Sequence, residues 1–327
     1  MVLAQSLFKT LKAQNPLCQI DVAAPAWTLP LLARMPEVSH AIALPFKHGE
    51  LAFWQRIRFG KSLRKQAYTQ AIILTNSLKS AILPFAAGIP RRTSFLGEMR
   101  YGLINDVRPL DKHQLPRTVD RFVTLGLPKN AEHTALSNIQ NPSLMADKAN
   151  ALAALKALGH AMPTSKVLAL CPGAEYGEAK RWPLEYYAAA ADAALSKGWE
   201  VWLFGSEKDV PYTAEINALN QNRCLDLGGK TKLGDAIDLM SLCDTVISND
   251  SGLMHVAAAL DKHLIAIYGS SDPHHTPPMS ANAVIEYLGL GCSPCFKRTC
   301  PLENPIDKMR CLKEIKPENV ISLIKLS

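Results

Sequence analysis

The stretch Thr245-Val-Ile-Ser-Asn-Asp-Ser-Gly-Leu-Met-His-Val-Ala-Ala-Ala-Leu260 has the residue types and order for chemistry. A β-branched run, Val246-Ile247, ends in Ser248-Asn249-Asp250, and the small pair Ser251-Gly252 opens an Ala-rich segment. A strand turning into a helix over Asp-Ser-Gly leaves the backbone N–H groups of Ser251, Gly252 and Leu253 at a positive helix end. Such a tip suits a phosphate or diphosphate. Asp250 would fall at the carboxyl end of the strand, where open α/β sheets bind ligands. His255, one turn into the helix, would face the same crevice. The plainer alternative is an ordinary capped turn, with His255 a core residue.

The elements that must position these residues follow a βαβ rhythm. In the second half, Val167–Cys171, Trp199–Phe204, Thr245–Ser248 and His263–Tyr268 read as strands. Between them, residues 184–197, 211–220, 233–241 and 253–260 read as helices. In the first half, Leu3, Leu7 and Leu11 recur at helical spacing over residues 2–14. Residues 18–24, 38–44 and 71–74 read as strands, with 54–67 a basic helix. This alternation predicts parallel sheets with helices on both faces. Residues 128–165 read as a connection around an Ala-rich helix at 144–158, giving domains 1–160 and 161–327. The expected fold class is α/β, with two doubly wound Rossmann-like domains facing a cleft. A doubly wound domain normally opens on a strand, whereas this chain opens on a helix.

Composition narrows the function. Of 327 residues, 48% are hydrophobic and 20% charged, which describes a globular protein of about two domains. The first residues lack a signal peptide's basic start and apolar core, so a cytoplasmic location is expected. The net charge of +7 is spread without a dense basic tract. That balance fits an anionic small ligand or a membrane surface better than nucleic acid.

Three loops at strand ends carry a family resemblance: Cys171-Pro-Gly-Ala-Glu-Tyr-Gly-Glu-Ala-Lys-Arg-Trp-Pro183, Phe204-Gly-Ser-Glu-Lys-Asp209, and Asn249-Asp-Ser-Gly-Leu-Met-His255. In the first half, Asn76-Ser-Leu-Lys-Ser80, Gly88-Ile-Pro90 and the segment Gly97–Asp106 support it. The chain resembles the ADP-heptose:lipopolysaccharide heptosyltransferases, nearest the branch that adds the second inner-core heptose (heptosyltransferase II). The resemblance implies a GT-B glycosyltransferase that inverts the anomeric centre, with ADP-heptose on the C-terminal domain and the lipid A-core oligosaccharide acceptor on the N-terminal one. It assigns Lys180 to the diphosphate, where its charge helps ADP leave. It assigns the amides of Ser251, Gly252 and Leu253, with His255 beside them, to the same group, and Asp250 to heptose hydroxyls. Glu207 or Asp209 would reach the ribose. Asn76, Lys79, Arg91, Arg92 and Arg100 would meet the polyanionic acceptor. Trp182-Pro183 reads more simply as packing at a helix start.

In the family pattern a strand and Gly-Asp loop precede the opening helix, and that aspartate is the expected general base. The sequence as given starts after that point, so no carboxylate carries over, and nothing in the spacing of Asp21 makes it a substitute. Donor binding is then expected to survive better than transfer, since losing a base costs about 10²- to 10⁴-fold. The alternatives are a sister enzyme acting at another core position and a nucleotide-sugar-binding fragment. No cofactor is required on this reading, magnesium being left open. A monomer with peripheral contact at the inner face of the inner membrane is expected, and no nucleic-acid partner.

Eight cysteines remain. Cys18, Cys171, Cys224 and Cys243 fall in or beside sheet elements and read as buried thiols. Cys292, Cys295, Cys300 and Cys311 cluster late in the chain. Their spacing is not a standard zinc pattern, so free thiols are expected ahead of structural zinc.

Overall fold

The computed structural model describes residues 1–47, 49–129, 131 and 136–326. The chain divides into two units, Leu3–Gln140 and Asn141–Ser327. Of the expected connection at 128–165, residues 130 and 132–135 lie outside the described residues.

The first unit runs α1 (Gln5–Gln14), β1 (Asp21–Pro25), α2 (Leu29–Leu32), β2 (His40–Leu44), α3 (Phe53–Ser62), β3 (Gln70–Ile72), α4 (Leu78–Ala86), β4 (Arg91–Phe95), β5 (Asp106–Arg108) and α5 (Thr118–Gly126). The leucine spacing does mark a buried face, with Leu7 and Phe8 inside. Leu7 lies so near Gly126 of α5 that a Cβ there would sit 2.4 Å from its methyl group. The single sheet expected here is instead two parallel pieces, β1-β2 and β3-β4-β5. Asp21 pairs with His40 in the first piece, and Gln70 with Arg91 in the second. No ladder joins β1 to β3 among the described residues. A side chain bridges them: the Tyr68 hydroxyl donates to Asp21 Oδ2 at 2.6 Å.

The second unit runs α6 (Lys148–Ala157), β6 (Val167–Cys171), α7 (Leu184–Ser196), β7 (Glu200–Leu203), α8 (Val210–Leu219), β8 (Leu225–Asp226), α9 (Leu233–Met240), β9 (Thr245–Asn249), α10 (Gly252–Ala259), β10 (His263–Ile267), β11 (Ala283–Glu286), α11 (Arg310–Lys313) and α12 (Pro317–Leu323). Its strands form one parallel sheet in the order β11-β10-β9-β6-β7-β8. Every residue of β6 and β9 is buried, as expected of strands covered on both faces. One core cluster joins Leu168, Ile247 and Ile267 of the sheet to Trp182, Tyr187, Leu312 and Val320.

The division falls earlier than the expected boundary at 160, for a physical reason. Helix α6 docks on the second unit: Asn150 Nδ2 donates to Asp235 at 3.1 Å and to Asp238 at 2.8 Å. Leu144 N–H donates to the Ala259 carbonyl at 2.9 Å. The Ala-rich segment is therefore part of the second unit's packing, not a linker.

Candidate functional site

In the second unit's sheet, strand order reverses between β6 and β9, where an open parallel sheet leaves a crevice beyond its carboxyl ends. The loops after these two strands carry Lys180 and Asp250. Lys180 closes a short 3₁₀ turn, Glu178–Lys180. Wholly buried Asn249 fixes that loop: its side-chain oxygen accepts from Trp182 N–H at 3.0 Å, and its NH₂ donates to the Pro172 carbonyl at 2.8 Å. The buried Trp182 indole donates to the Ile315 carbonyl at 2.8 Å, so it does serve packing at the start of α7. From the other side, Ala179 N–H donates to the Arg298 carbonyl at 3.0 Å. Gly177 lies so near that carbonyl that a Cβ would sit 2.3 Å from it, so only glycine fits.

Held in this way, Lys180 Nζ meets Asp250 Oδ2 at 2.5 Å, with side-chain exposures of 17% and 7%. The ammonium also lies 5.2 Å from the Tyr176 ring centre. Asp250 N–H donates back to the Ile267 carbonyl at 3.1 Å. Ser251 caps α10, its hydroxyl accepting from Met254 N–H at 3.5 Å. Gly252 is exposed, and a Cβ there would meet nothing within 4 Å. The tip of α10 therefore has open space for a ligand to approach its backbone, beside a cation and a carboxylate.

His255 lies one turn along α10. Burial is the largest influence on its imidazole, lowering the pKa to about 4 against the opposing pull of Asp250. The ring is neutral at neutral pH, so it can offer a hydrogen bond but no charge. Its Nδ1 is one of four buried side-chain atoms without a partner among the described residues, with Arg181 Nε, Ser270 Oγ and Ser271 Oγ. All four belong to loops or helix starts near the Lys180 turn or α10. Ser270 N–H donates to the Ala179 carbonyl at 3.3 Å, tying the end of β10 to the Lys180 turn. Sequence reasoning passed over Ser270, Ser271 and the bracing role of Asn249. Asn249 had a signal, a polar amide ending an apolar strand, whereas the two serines had none.

The loop after β7 separates the two candidate carboxylates. Asp209 Oδ2 accepts from both Ser206 N–H (2.9 Å) and Ser206 Oγ (2.7 Å), and so closes a capping box. Glu207 is exposed and makes no side-chain hydrogen bond among the described residues.

The first unit corrects three expected acceptor residues. Arg100 is wholly buried: it donates to the carbonyls of Thr75 (2.7 Å), Phe95 (2.5 Å) and Gly97 (3.1 Å) and to Ser94 Oγ (3.0 Å). It ties the loops together and presents no charge to a ligand. Arg91 and Arg92 open β4 rather than follow a strand, which places them at the amino end of the sheet. Arg91 pairs with Asp106 at 3.0 Å, and Arg92 donates to the carbonyls of Leu103 (2.7 Å) and Ile89 (2.5 Å). Asn76 is exposed, past the carboxyl end of β3, and Lys79 sits in the first turn of α4. Asp21 is occupied by Tyr68 and by His40, whose Nδ1 is 2.9 Å away.

The cysteines divide much as expected. Cys171, Cys224 and Cys243 are buried, but Cys18 is only half-buried because it precedes β1 instead of lying in it. Burial, reinforced by Cys292, Cys295 and Cys300, raises Cys311 to about 11. Among the described residues, no three His, Cys, Asp or Glu side chains group so as to hold a metal ion.

A parallel sheet of this order, with a cation and an open helix tip at its reversal point, defines an α/β protein whose crevice suits an anionic ligand. The profile of glycosyltransferase family 9 (heptosyltransferase) matches residues 56–306. The chain belongs to this family, and the family makes it a glycosyltransferase. It is 46% identical to lipopolysaccharide heptosyltransferase 2 of Salmonella typhimurium over 299 residues, covering 89% of this chain and 85% of that one. Its identity to lipooligosaccharide heptosyltransferase 2 of Haemophilus influenzae is 45% over 293 residues, 87% and 84% of the two chains. Among solved structures it is similar to ADP-heptose LPS heptosyltransferase II of E. coli, with a TM-score of 0.87 and 39% identity over 99% of this chain and 93% of that one.

Proposed function

We propose that this chain transfers heptose from ADP-heptose to the inner core of lipopolysaccharide, adding the second heptose. The observation that carries this reading is the Lys180–Asp250 pair at the open tip of α10. Without a ligand the two charges satisfy each other. When a diphosphate arrives, Lys180 exchanges Asp250 for phosphate oxygens, and the first amides of α10 supply the remaining donors. Asp250 is then released to accept from the hydroxyls of the sugar. The acceptor hydroxyl oxygen bonds to the anomeric carbon and gives its proton to water, no carboxylate of this chain being assigned as base, while the bond from that carbon to the phosphate oxygen breaks. The negative charge that grows on ADP is stabilised by Lys180 and the helix tip. Glu207 is the carboxylate assigned to the ribose.

Positive charge from a lysine and a helix end serves the leaving group directly, so the reading needs no bound cofactor. Asn76 and Lys79 are retained for the acceptor. The reading supposes a monomer on the cytoplasmic face of the inner membrane, where a nucleotide-sugar meets a lipid-linked acceptor. No helix among the described residues is long and apolar enough to cross a membrane. Incubation with ADP-heptose and heptosyl-Kdo₂-lipid A, followed by mass spectrometry, tests the reading. One added heptose, formed equally in the presence of a metal chelator, is expected over an incubation long enough to offset a step slowed about 10²- to 10⁴-fold without the base. An unmodified acceptor under conditions where ADP binds would overturn it.

A further inference from the structure

One surface of the first unit is not used by this chemistry. Leu51 and Trp54 are 54% and 76% exposed, and Phe53 is 43% exposed. Phe53 and Trp54 pack edge to face, with ring centres 5.2 Å apart. They line an open depression of about 550 Å³ running from Glu50 to Gln55. Large apolar side chains bury readily when a partner surface exists, so a leucine and two aromatic residues held outward within four positions call for an explanation.

The tip is fixed from within. Arg56, only 7% exposed, donates through Nε to the Leu51 carbonyl at 2.6 Å and through Nη2 to the Glu50 carbonyl at 3.1 Å. Its guanidinium also stacks 4.3 Å from the Phe46 ring centre. These bonds hold Ala52 left-handed, at φ 42°, where a residue with a Cβ is strained. Helix α3 is clamped on its other face: a Cβ at Gly60 would sit 2.6 Å from the Leu83 carbonyl of α4. The outward face then presents Trp54, Arg58 and Lys61, which share one side of the helix by their spacing, and all three are exposed. Neither Arg58 nor Lys61 has an ion pair among the described residues. Lys65, also exposed, follows in the 3₁₀ turn that extends the helix.

We propose that this tip and face form a docking surface for an anionic phospholipid bilayer, with Leu51, Phe53 and Trp54 entering the interface and Arg58 and Lys61 meeting the headgroups. Aromatic residues prefer the boundary between headgroup and acyl chain, and cations beside them add attraction to anionic lipid. The inference extends the functional reading, resting on it only for the source of the membrane. Sedimentation of the full chain with phosphatidylcholine vesicles, with and without phosphatidylglycerol and free of lipopolysaccharide, tests it. The wild type should pellet with the anionic vesicles. The double variant Phe53→Ala/Trp54→Ala should lose about tenfold or more in partition. Arg58→Gln and Lys61→Gln should each cost about fivefold and weaken the salt dependence. All variants should keep the ADP affinity of the wild type, showing that the protein is folded. Unchanged partition in the variants, or a wild type indifferent to anionic lipid, would overturn the proposal. So would self-association without vesicles that Trp54→Ala abolishes, since a second copy would then be the occupant. Loss of ADP binding with vesicle binding intact would defeat the functional reading and leave this one standing.

Discussion

The two units use charge in opposite ways. In the second, a continuous sheet buries every residue of β6 and β9, and Lys180 and Asp250 answer each other beyond the carboxyl ends of those strands. In the first, the sheet is in two pieces, β1 and β2 are partly exposed, and Arg100 is drawn inward to tie loops together. A basic residue near a strand end is thus left available to a ligand only where the sheet already supplies the framework. Where it does not, the same side chain becomes part of the framework.

The sharpest way to break this contrast is Arg100→Met. It leaves the carbonyls of Thr75, Phe95 and Gly97 without their donor inside the first unit. A loss of about 3 kcal/mol is expected in urea unfolding, with hydrogen exchange rising in β3 and β4 and ADP binding by the second unit preserved. If ADP binding falls in step with stability, the two units are not doing separate jobs.

Asn249→Leu comes next. It keeps the side chain's bulk but removes the amide that joins β9 to the Lys180 loop. About 2 kcal/mol of stability should go, and ADP affinity should fall with it, because Lys180 loses its brace. Unchanged affinity would show that the Arg298 contact alone holds the turn.

Much of this contrast was legible in the sequence, though unevenly. The inner strands β6, β7, β9 and β10 match their apolar runs closely because they are largely buried, so their composition reports their environment directly, whereas the partly exposed edge strands β8 and β11 were not read from the sequence. The Asp-Ser-Gly turn into α10 was readable from its small capping residues, and Lys180 stood out only through the family resemblance. In the first unit, β4 begins Arg91-Arg92-Thr93, a polar edge that does not look like a strand, and helix α4 carries Pro84 inside it. Neither the inward turn of Arg100 nor the division of the sheet leaves a mark on residue order. The proposed preference for Glu207 over Asp209 also drew on coordinates, since only geometry shows that Asp209 is already committed as a cap.

That choice can be tested directly. Glu207→Gln should weaken adenosine and ADP alike by about 1 kcal/mol, the difference between a charged and a neutral hydrogen bond, since the amide oxygen still accepts. Asp209→Asn should act through thermal stability instead. Equal binding losses in the two variants would return the nucleoside role to both.

The smallest effect concerns His255. Its pKa, held near 4 by burial, lies below the ordinary value of about 6.5 that the unfolded chain would show. The unfolded state therefore takes up this proton first as pH falls, so the stability His255 allows is complete above about pH 6.5 and is lost on the way down to about pH 4. An NMR titration should show no inflection for this imidazole between about pH 5 and pH 8. An inflection near neutrality would place it in water or beside an unopposed carboxylate.

Calorimetry on Lys180→Ala, with ADP and adenosine as paired ligands, addresses the grip on the diphosphate most directly. The account predicts that ADP affinity falls by about tenfold or more, as when a charge-assisted contact is removed, while adenosine binds as before. Equal ADP affinity in the variant and the wild type would contradict it.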